Sequence, residues 1–577
     1  MEPAVLKRLL AGILLCLLCL LCTSVALYGE TTATQLSFWD DRPDDDLVEA
    51  ILSEMTDEEL LGQVFMLGYI GKQPSGEILS WIRSRNLGGV KIFTRNVDTL
   101  AGLSASIAEM QGVADKGRFQ IPLFVSTDQE GGWVRHIKLE TSQTPGNIAL
   151  GASGLPQDAL LTGYYIGREL RSLGFNMNFA PTTDVYSNPS ATVIGPRAFS
   201  SDPLATATLA LAYYRGMAKS GIICTAKHFP GHGHADKDSH GTLPVVWISF
   251  EQMWQRELVP YRVLIPEGIP AIMSAHIAYP EIIGNLLPAS RSEQFIEEVL
   301  RGKLSFQGVL ITDDMEMNGA ISGGVDTAQA SLEALEAGND MILVSHTPSA
   351  QEHTWGKLLN HLAAQPEFRE RLKRSVRRTL KAKLAYFKSG ASGEQRSEAG
   401  FRELVPSAGA WEFFQQSALR SVTLLRDGDI PLEHSADRRM LLVGQFEEFL
   451  QEGRLRYPQA DVLLFPYSPF YFAREEDLER VPRIASRYDL VVFCLANYNS
   501  LEVLETLRDF PGTLVVLSAL SPVYLRETPW VQTALAVYGT GKESFRAGFA
   551  ALGGDFEPEG RIPVDFIDGH PVDGAPP

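Results

Sequence analysis

Residues Gly221 to Pro244 read G-I-I-C-T-A-K-H-F-P-G-H-G-H-A-D-K-D-S-H-G-T-L-P. Gly221 to Ala226 is a short apolar run between turn residues, the pattern of a buried strand. At Lys227 the character changes to a polar loop holding His228, His232, His234, His240, Asp236 and Asp238. Gly231, Gly233 and Gly241 open backbone conformations closed to other residues. An apolar strand that delivers titratable side chains at its C-terminal end is therefore the unit to look for elsewhere.

The unit recurs. Val64 to Leu67 leads to Gly68, Val90 to Phe93 to Arg95, Leu123 to Val125 to Asp128, and Met177 to Ala180 to Asp184. Ala271 to Ser274 leads to His276, Val309 to Ile311 to Asp313, and Met341 to Val344 to Ser345 and His346. With Ile223 to Ala226 this makes eight strand candidates, the number expected of a (β/α)8 TIM-like barrel over residues 40–388. A doubly wound open sheet shares the alternation and is the structural alternative. In a barrel, polar residues scattered along the chain converge on one face.

Between Glu367 and Phe387, Phe368, Leu372, Val376, Leu380 and Leu384 recur at helical spacing, which predicts an amphipathic helix closing the barrel. Its Arg and Lys run reads as a solvated face. Residues 389–410, rich in Ser, Gly and charge at their start, read as a linker. Residues 411–577 read as a second α/β domain, with strands at Val422 to Leu425, Met440 to Val443, Val462 to Phe465, Leu490 to Phe493, Leu514 to Leu517 and Ala534 to Val537.

The chain has 577 residues and a net charge of −19, so no basic surplus exists to meet phosphates and nucleic acid is excluded as a partner. Lys7 and Arg8 precede an apolar run from Leu9 to Leu21, and Ser24-Val25-Ala26 offers a cleavage site. Residues 1–26 therefore predict a signal peptide and an exported protein, periplasmic or at the cell surface. An uncleaved anchor and a lipidated Cys22 are the alternatives, so any membrane attachment runs through this segment. Beyond it, Cys224 and Cys494 lie in apolar runs and are expected as buried thiols rather than a disulfide framework. Oligomeric state is not legible.

Asp238-Ser239-His240 is the sharpest local pattern. A carboxylate two residues from a histidine can accept a hydrogen bond from one ring nitrogen, fix the tautomer and leave the other nitrogen to exchange protons with a substrate. A histidine merely tethered by an aspartate gives the same spacing. A third reading is a metal-dependent hydrolase, with His232, His234, Asp236, Asp238 and His240 as ligands.

Several motifs together resemble glycoside hydrolase family 3 in its bacterial β-N-acetylhexosaminidase branch. They are Asp128-Gln129-Glu130-Gly131-Gly132, Asn178-Phe179-Ala180-Pro181 with Asp184, Ile194-Gly195-Pro196-Arg197-Ala198-Phe199, Lys227-His228-Phe229-Pro230-Gly231-His232-Gly233 with Asp238-Ser239-His240, and Thr312-Asp313-Asp314-Met315. The resemblance implies a retaining exo-enzyme that removes terminal β-linked N-acetylglucosamine through a covalent glycosyl-enzyme, with no cofactor and no metal. It puts Asp313 at the nucleophile position and Asp238 with His240 at an acid/base dyad. Asp128, Arg197, Lys227 and His228 fall at sugar-binding positions, for which a network of ion pairs supporting the barrel rim is the competing reading. Asp184 reads as structural; His276 and Asp314 are left open between pocket lining and scaffold.

The chain departs from the family pattern at His136, where an arginine is usual, so that contact is lost, moved to Arg135, or made by His136. Because the dyad lies in the barrel, the second domain is not expected to serve proton transfer. The implied substrate is a glycan with terminal N-acetylglucosamine, such as peptidoglycan fragments. A β-N-acetylglucosaminide phosphorylase and an inactive carbohydrate-binding protein are the remaining alternatives.

Overall fold

The structure is a computed structural model that describes residues 35–388, 404–432, 438–468 and 472–565. The expected signal segment, 1–26, and most of the expected linker lie outside the described residues.

Eight parallel strands close into a barrel: β1 Phe65–Leu67, β2 Gly89–Lys91, β3 Phe124–Thr127, β4 Met177–Asn178, β5 Ile223–Phe229, β6 Ala271–Ser274, β7 Val309–Asp314 and β8 Met341–Val344. Strand order around the barrel is sequence order, β8 pairing with β1 in the register Phe65 to Ile342. The interior is filled by side chains such as Met66, Phe124, Met177, Ile223, Met273, Ile311 and Leu343, so the barrel is a packed core whose site lies at the mouth. This excludes the open-sheet alternative.

Two strands run further than the apolar pattern indicates. Strand β5 continues through Lys227 and His228 to Phe229, and β7 through Asp313 to Asp314. Both residue pairs expected at a loop start therefore lie within the strands, at irregularities of the ladder. Each strand also shifts register beside them, β5 against β6 between Ala226 and Phe229, and β7 against β8 between Met341 and Leu343. Such irregularities re-aim side chains, which is how neighbouring polar residues come to share one mouth.

The closing helix runs Pro366–Phe387 and buries Phe368, Leu372, Val376, Leu380 and Leu384 as expected. Its basic run is not simply a solvated face. Lys383 is fully buried and donates to Gln63 Oε1 (3.0 Å) and the Gly88 carbonyl (2.9 Å), while Arg371 reaches the Asn339 carbonyl at 3.1 Å. Burial holds the Lys383 ammonium well below its usual range.

A second, six-stranded sheet contains β9 Thr423–Asp427, β10 Met440–Gly444, β11 Asp461–Leu464, β12 Leu490–Leu495, β13 Thr513–Ala519 and β14 Thr533–Tyr538. Its order is β9-β14-β13-β12-β10-β11, parallel except for β9 against β14. The described end of the expected linker is no free tether: Val405 is buried, the Ser407 N–H donates to Glu169 Oε1 at 2.9 Å, and the next helix begins at Ala410. Cys224 and Cys494 are buried free thiols. No helix of the described residues is long and apolar enough to cross a membrane.

Candidate active site

The residues singled out in the sequence meet at the C-terminal mouth of the barrel. Asp128 follows β3 directly. The Asn178 side chain of β4 clamps the next residue, accepting from the Gln129 N–H and donating to its carbonyl, both at 2.9 Å. This fixes Asp128 and, on the far side of Gln129, Glu130. Lys227 of β5 then donates to both carboxylates, Asp128 Oδ1 at 2.6 Å and Glu130 Oε1 at 2.5 Å. Lys91 of β2 holds the other oxygen of Asp128 at 2.7 Å.

Arg197, on the 3-10 turn Gly195–Arg197, grips Glu130 with Nε at 3.0 Å and Nη2 at 2.8 Å, and Nη2 lies 3.2 Å from His228 Nε2. A guanidinium can only donate, so this contact leaves the ring proton of His228 on Nδ1, which faces Asp184 Oδ2 at 2.7 Å. Asp184 Oδ1 also accepts the N–H groups of His228 (3.1 Å) and His232 (2.7 Å). It is buried and engaged on both oxygens, the supporting part its sequence position indicated.

These partners set the charges. Burial alone would raise the Asp128 carboxyl, but Lys227 and Lys91 hold it well below its usual range. Burial likewise opposes ionisation of Glu130, yet Arg197 and Lys227 bring it to about 2. The ammonium of Lys227, which burial disfavours, is raised by the two carboxylates. Asp313 is subject to the same contest: burial pushes it up, and His228, His276 and Lys91 more than reverse this, holding it ionised far below the ordinary carboxylate range. Its Oδ1 accepts the Asp314 N–H at 2.8 Å.

Asp238 and His240 stand on the loop after β5. His240 donates its backbone N–H (3.0 Å) and Nδ1 (2.7 Å) to Asp238 Oδ1. The ring is 72% exposed, and Nε2 is the nitrogen left for proton exchange. The hydrogen bond from Asp238 raises the imidazole above its usual value against the effect of burial, and the charge of Asp313 adds to this. Between them Ser239 is buried and pinned by the Gly319 N–H on its carbonyl (2.9 Å), while Asn318 Nδ2 reaches the Gly241 carbonyl at 3.2 Å. The other loop histidines turn elsewhere, His232 toward Ser239 Oγ (3.4 Å) and His234 toward Ser187 Oγ (3.0 Å). Among the described residues no group of three or more His, Cys, Asp or Glu side chains stands together as a metal site.

Sequence reasoning missed Glu130 and Lys91. Glu130 lies within a quoted motif, and a second carboxylate two residues from Asp128 was itself a sign that two cations had to be near. Lys91 is a lone lysine in an apolar strand, a weaker sign. At the departure from the family pattern, His136 Nε2 lies 3.6 Å from Asp128 Oδ2, whereas the charges that act on Arg135 are those of Glu543, Glu448 and Glu169. Of the two, His136 faces the site.

The second domain reaches this mouth from the side. Tyr186, Ala191, Ile194 and Ala198, from the loop that carries Arg197, are buried in one core with Val523, Tyr524 and Leu525. Tyr186 is hydrogen-bonded to Ser521, and Tyr524 to Thr192. Trp133, at the tip of the hairpin Gln129–Arg135, packs on Tyr467 with ring centroids 5.0 Å apart.

Residues 55–382 match the Glycosyl hydrolase family 3 N terminal domain. A beta-hexosaminidase A of Pseudoalteromonas piscicida is 36% identical over 321 residues, spanning 50% of this chain and 54% of that protein, so the match spans about half of that relative's length. A beta-hexosaminidase of Nitrosospira multiformis is 36% identical over 301 residues, 51% of this chain and 82% of the relative. The solved structure of a glycoside hydrolase family 3 beta-N-acetylglucosaminidase from Paenibacillus sp. str. FPU-7 superposes with a TM-score of 0.81 at 31% identity, covering 89% of this chain and 99% of that one. The family match runs from just before β1 into the last turns of the closing helix, and a neighbour of similar sequence shares both domains: the chain belongs to glycosyl hydrolase family 3.

Proposed function

We propose that this glycoside hydrolase is a retaining exo-β-N-acetylhexosaminidase that removes terminal β-linked N-acetylglucosamine. The observation that carries this reading is the pairing of an ionised Asp313 at the barrel mouth with a separate, exposed His240 whose Nδ1 is committed to Asp238. In the first step an Asp313 oxygen attacks the anomeric carbon, the glycosidic bond breaks, and the leaving oxygen takes the proton from His240 Nε2. In the second, neutral His240 takes a proton from water, the water oxygen attacks the anomeric carbon, and the bond to Asp313 breaks. Asp128, Arg197, Lys227 and His228 offer a carboxylate acceptor, two cationic donors and an imidazole to the sugar's hydroxyl and carbonyl groups.

The N-terminal charges and apolar run favour action outside the cytoplasm, on peptidoglycan fragments or related glycans. The test is release of nitrophenol from its β-N-acetylglucosaminide and β-glucoside. The N-acetyl substrate alone is expected to turn over, Asp313→Ala to abolish turnover, and His240→Ala to lower it about 100- to 10,000-fold. Unchanged turnover in Asp313→Ala would overturn the mechanism. Adding orthophosphate and assaying sugar 1-phosphate distinguishes water from phosphate as acceptor.

A further inference from the structure

Asp314, the residue after Asp313, is a hub. Its N–H goes to Asp313 Oδ1 (2.8 Å), and its carbonyl accepts from Nε2 of the buried His276 (3.1 Å). Its carboxylate accepts from Ser345 Oγ, from the Glu316 N–H (3.0 Å) and, 3.2 Å away, from His346 Nε2. Glu316 in turn takes the N–H groups of His346 (2.7 Å) and Thr347 (3.0 Å). The turn after β7 and the end of β8 are thus tied through polar side chains that the mechanism does not use.

The tie extends one residue further. Arg95, beyond β2, lies with Nη1 3.0 Å from His346 Nδ1, while Nη2 donates to the Ser345 carbonyl (2.6 Å) and Nε to the Tyr69 carbonyl (3.1 Å). A guanidinium has no lone pair to offer, so the contact with His346 is a hydrogen bond only if Nδ1 is the acceptor. The ring proton then sits on Nε2, where it is donated to Asp314. Phe93 packs against both partners, 4.1 Å from the guanidinium carbon and 5.0 Å from the imidazole centroid.

We infer that His346 is a positioning residue for glycosyl transfer: Arg95 fixes its tautomer, and its Nε2–H holds the Asp314 carboxylate so that the Asp314 peptide aims Asp313 at the anomeric carbon. The inference rests on Asp313 being the nucleophile, as proposed above. His346 is 49% exposed, so direct contact with the sugar is the rival role, and affinity separates the two. Glutamine at this position offers an oxygen to Arg95 and an N–H to Asp314; leucine fills similar space and offers neither.

The experiment measures the saturating rate of covalent trapping by 5-fluoro-N-acetylglucosaminyl fluoride, with mass mapping of the labelled peptide, alongside inhibition by N-acetylglucosamine and thermal unfolding. Wild type, His346→Gln, His346→Leu and Arg95→Lys are compared. The label is expected on Asp313. His346→Leu slows trapping about 100-fold, the scale of a misplacement near 1 Å, while His346→Gln stays within about fivefold of wild type and N-acetylglucosamine inhibition is unchanged. Arg95→Lys, whose ammonium is one point charge without the planar fork that reaches Tyr69, His346 and Ser345 from three separate nitrogens, slows trapping about tenfold and covers the case in which the leucine variant does not fold. Equal rates in the glutamine and leucine variants, an unaffected Arg95→Lys, or weaker inhibition with an unchanged trapping rate would each overturn the inference. A label on another residue overturns the reading of Asp313 and this inference with it.

Discussion

Glu130 faces Arg197 through two hydrogen bonds, 3.0 Å to Nε and 2.8 Å to Nη2, while one of the same oxygens takes Lys227 Nζ at 2.5 Å. One carboxylate therefore answers two buried cations. Truncating it leaves both without their shared partner, and breaking a buried pair from one side typically costs about 3–5 kcal/mol. Glu130→Ala is expected to lose that much in urea unfolding and to raise KM, because Arg197 loses its clamp. Glu130→Gln, which keeps an acceptor oxygen, should lose less. An unchanged unfolding midpoint in Glu130→Ala would show that the network carries no net stability.

Acid should dismantle the same network. Glu130 and Asp184 are each held at about 2 by their partners, below the ordinary 4.5 and 3.8. A depressed carboxylate contributes stability that is present above its ordinary value and is lost as pH falls through the folded one. Unfolding free energy is therefore expected to decline from about pH 4.5 to about pH 2. Glu130→Gln should make that decline shallower, and identical slopes for variant and wild type would contradict the assignment.

The strand-end pattern was legible because each barrel strand is a short apolar run that must end in polar residues at the mouth, as Val309 to Asp313 does. Where β5 stops was not legible. Apolar side chains give way at Lys227, whereas the strand persists to Phe229, shifting register across a lysine and a histidine buried among their partners. Lys383 shows the converse: in sequence it belongs to a basic helical run, and only the fold brings Gln63 and the Gly88 carbonyl to receive it. Pairings such as Lys91 with Asp128 or Arg95 with His346 join distant segments and leave no local spacing to read.

The brace between the domains makes a further prediction. Tyr524 is buried against Tyr498 and bonded to Thr192, on the loop that ends in Arg197. Tyr524→Ala removes this wall, leaving Arg197 steadied within the barrel by Glu130 on its guanidinium and by Asn147 Nδ2 on its carbonyl, at 2.7 Å. A hydrogen bond to a charged group contributes about 1.5–3 kcal/mol, so KM is expected to rise by about tenfold or more while the pH dependence of kcat stays in place. An unchanged KM would mean that the barrel alone holds the loop.

The pH profile tests the dyad directly. Hydrogen bonding to Asp238 is the largest influence on His240 and raises its imidazole above the usual 6.5, with Asp313 adding to it and burial opposing. If the protonated ring is the acid, activity falls on the alkaline side as this proton is lost, and the raised value places that limb of kcat/KM above pH 6.5. Asp238→Asn removes the charge that stabilises the imidazolium, so the alkaline limb must move to lower pH, and activity at pH 7 falls further than activity at pH 5.5. A structural tether gives another outcome: the limb stays where it is and both pH values lose activity in equal proportion. His240 is largely exposed, so the same variant should change unfolding stability little, which lets the shift in the profile be read as proton chemistry rather than as loss of the folded loop.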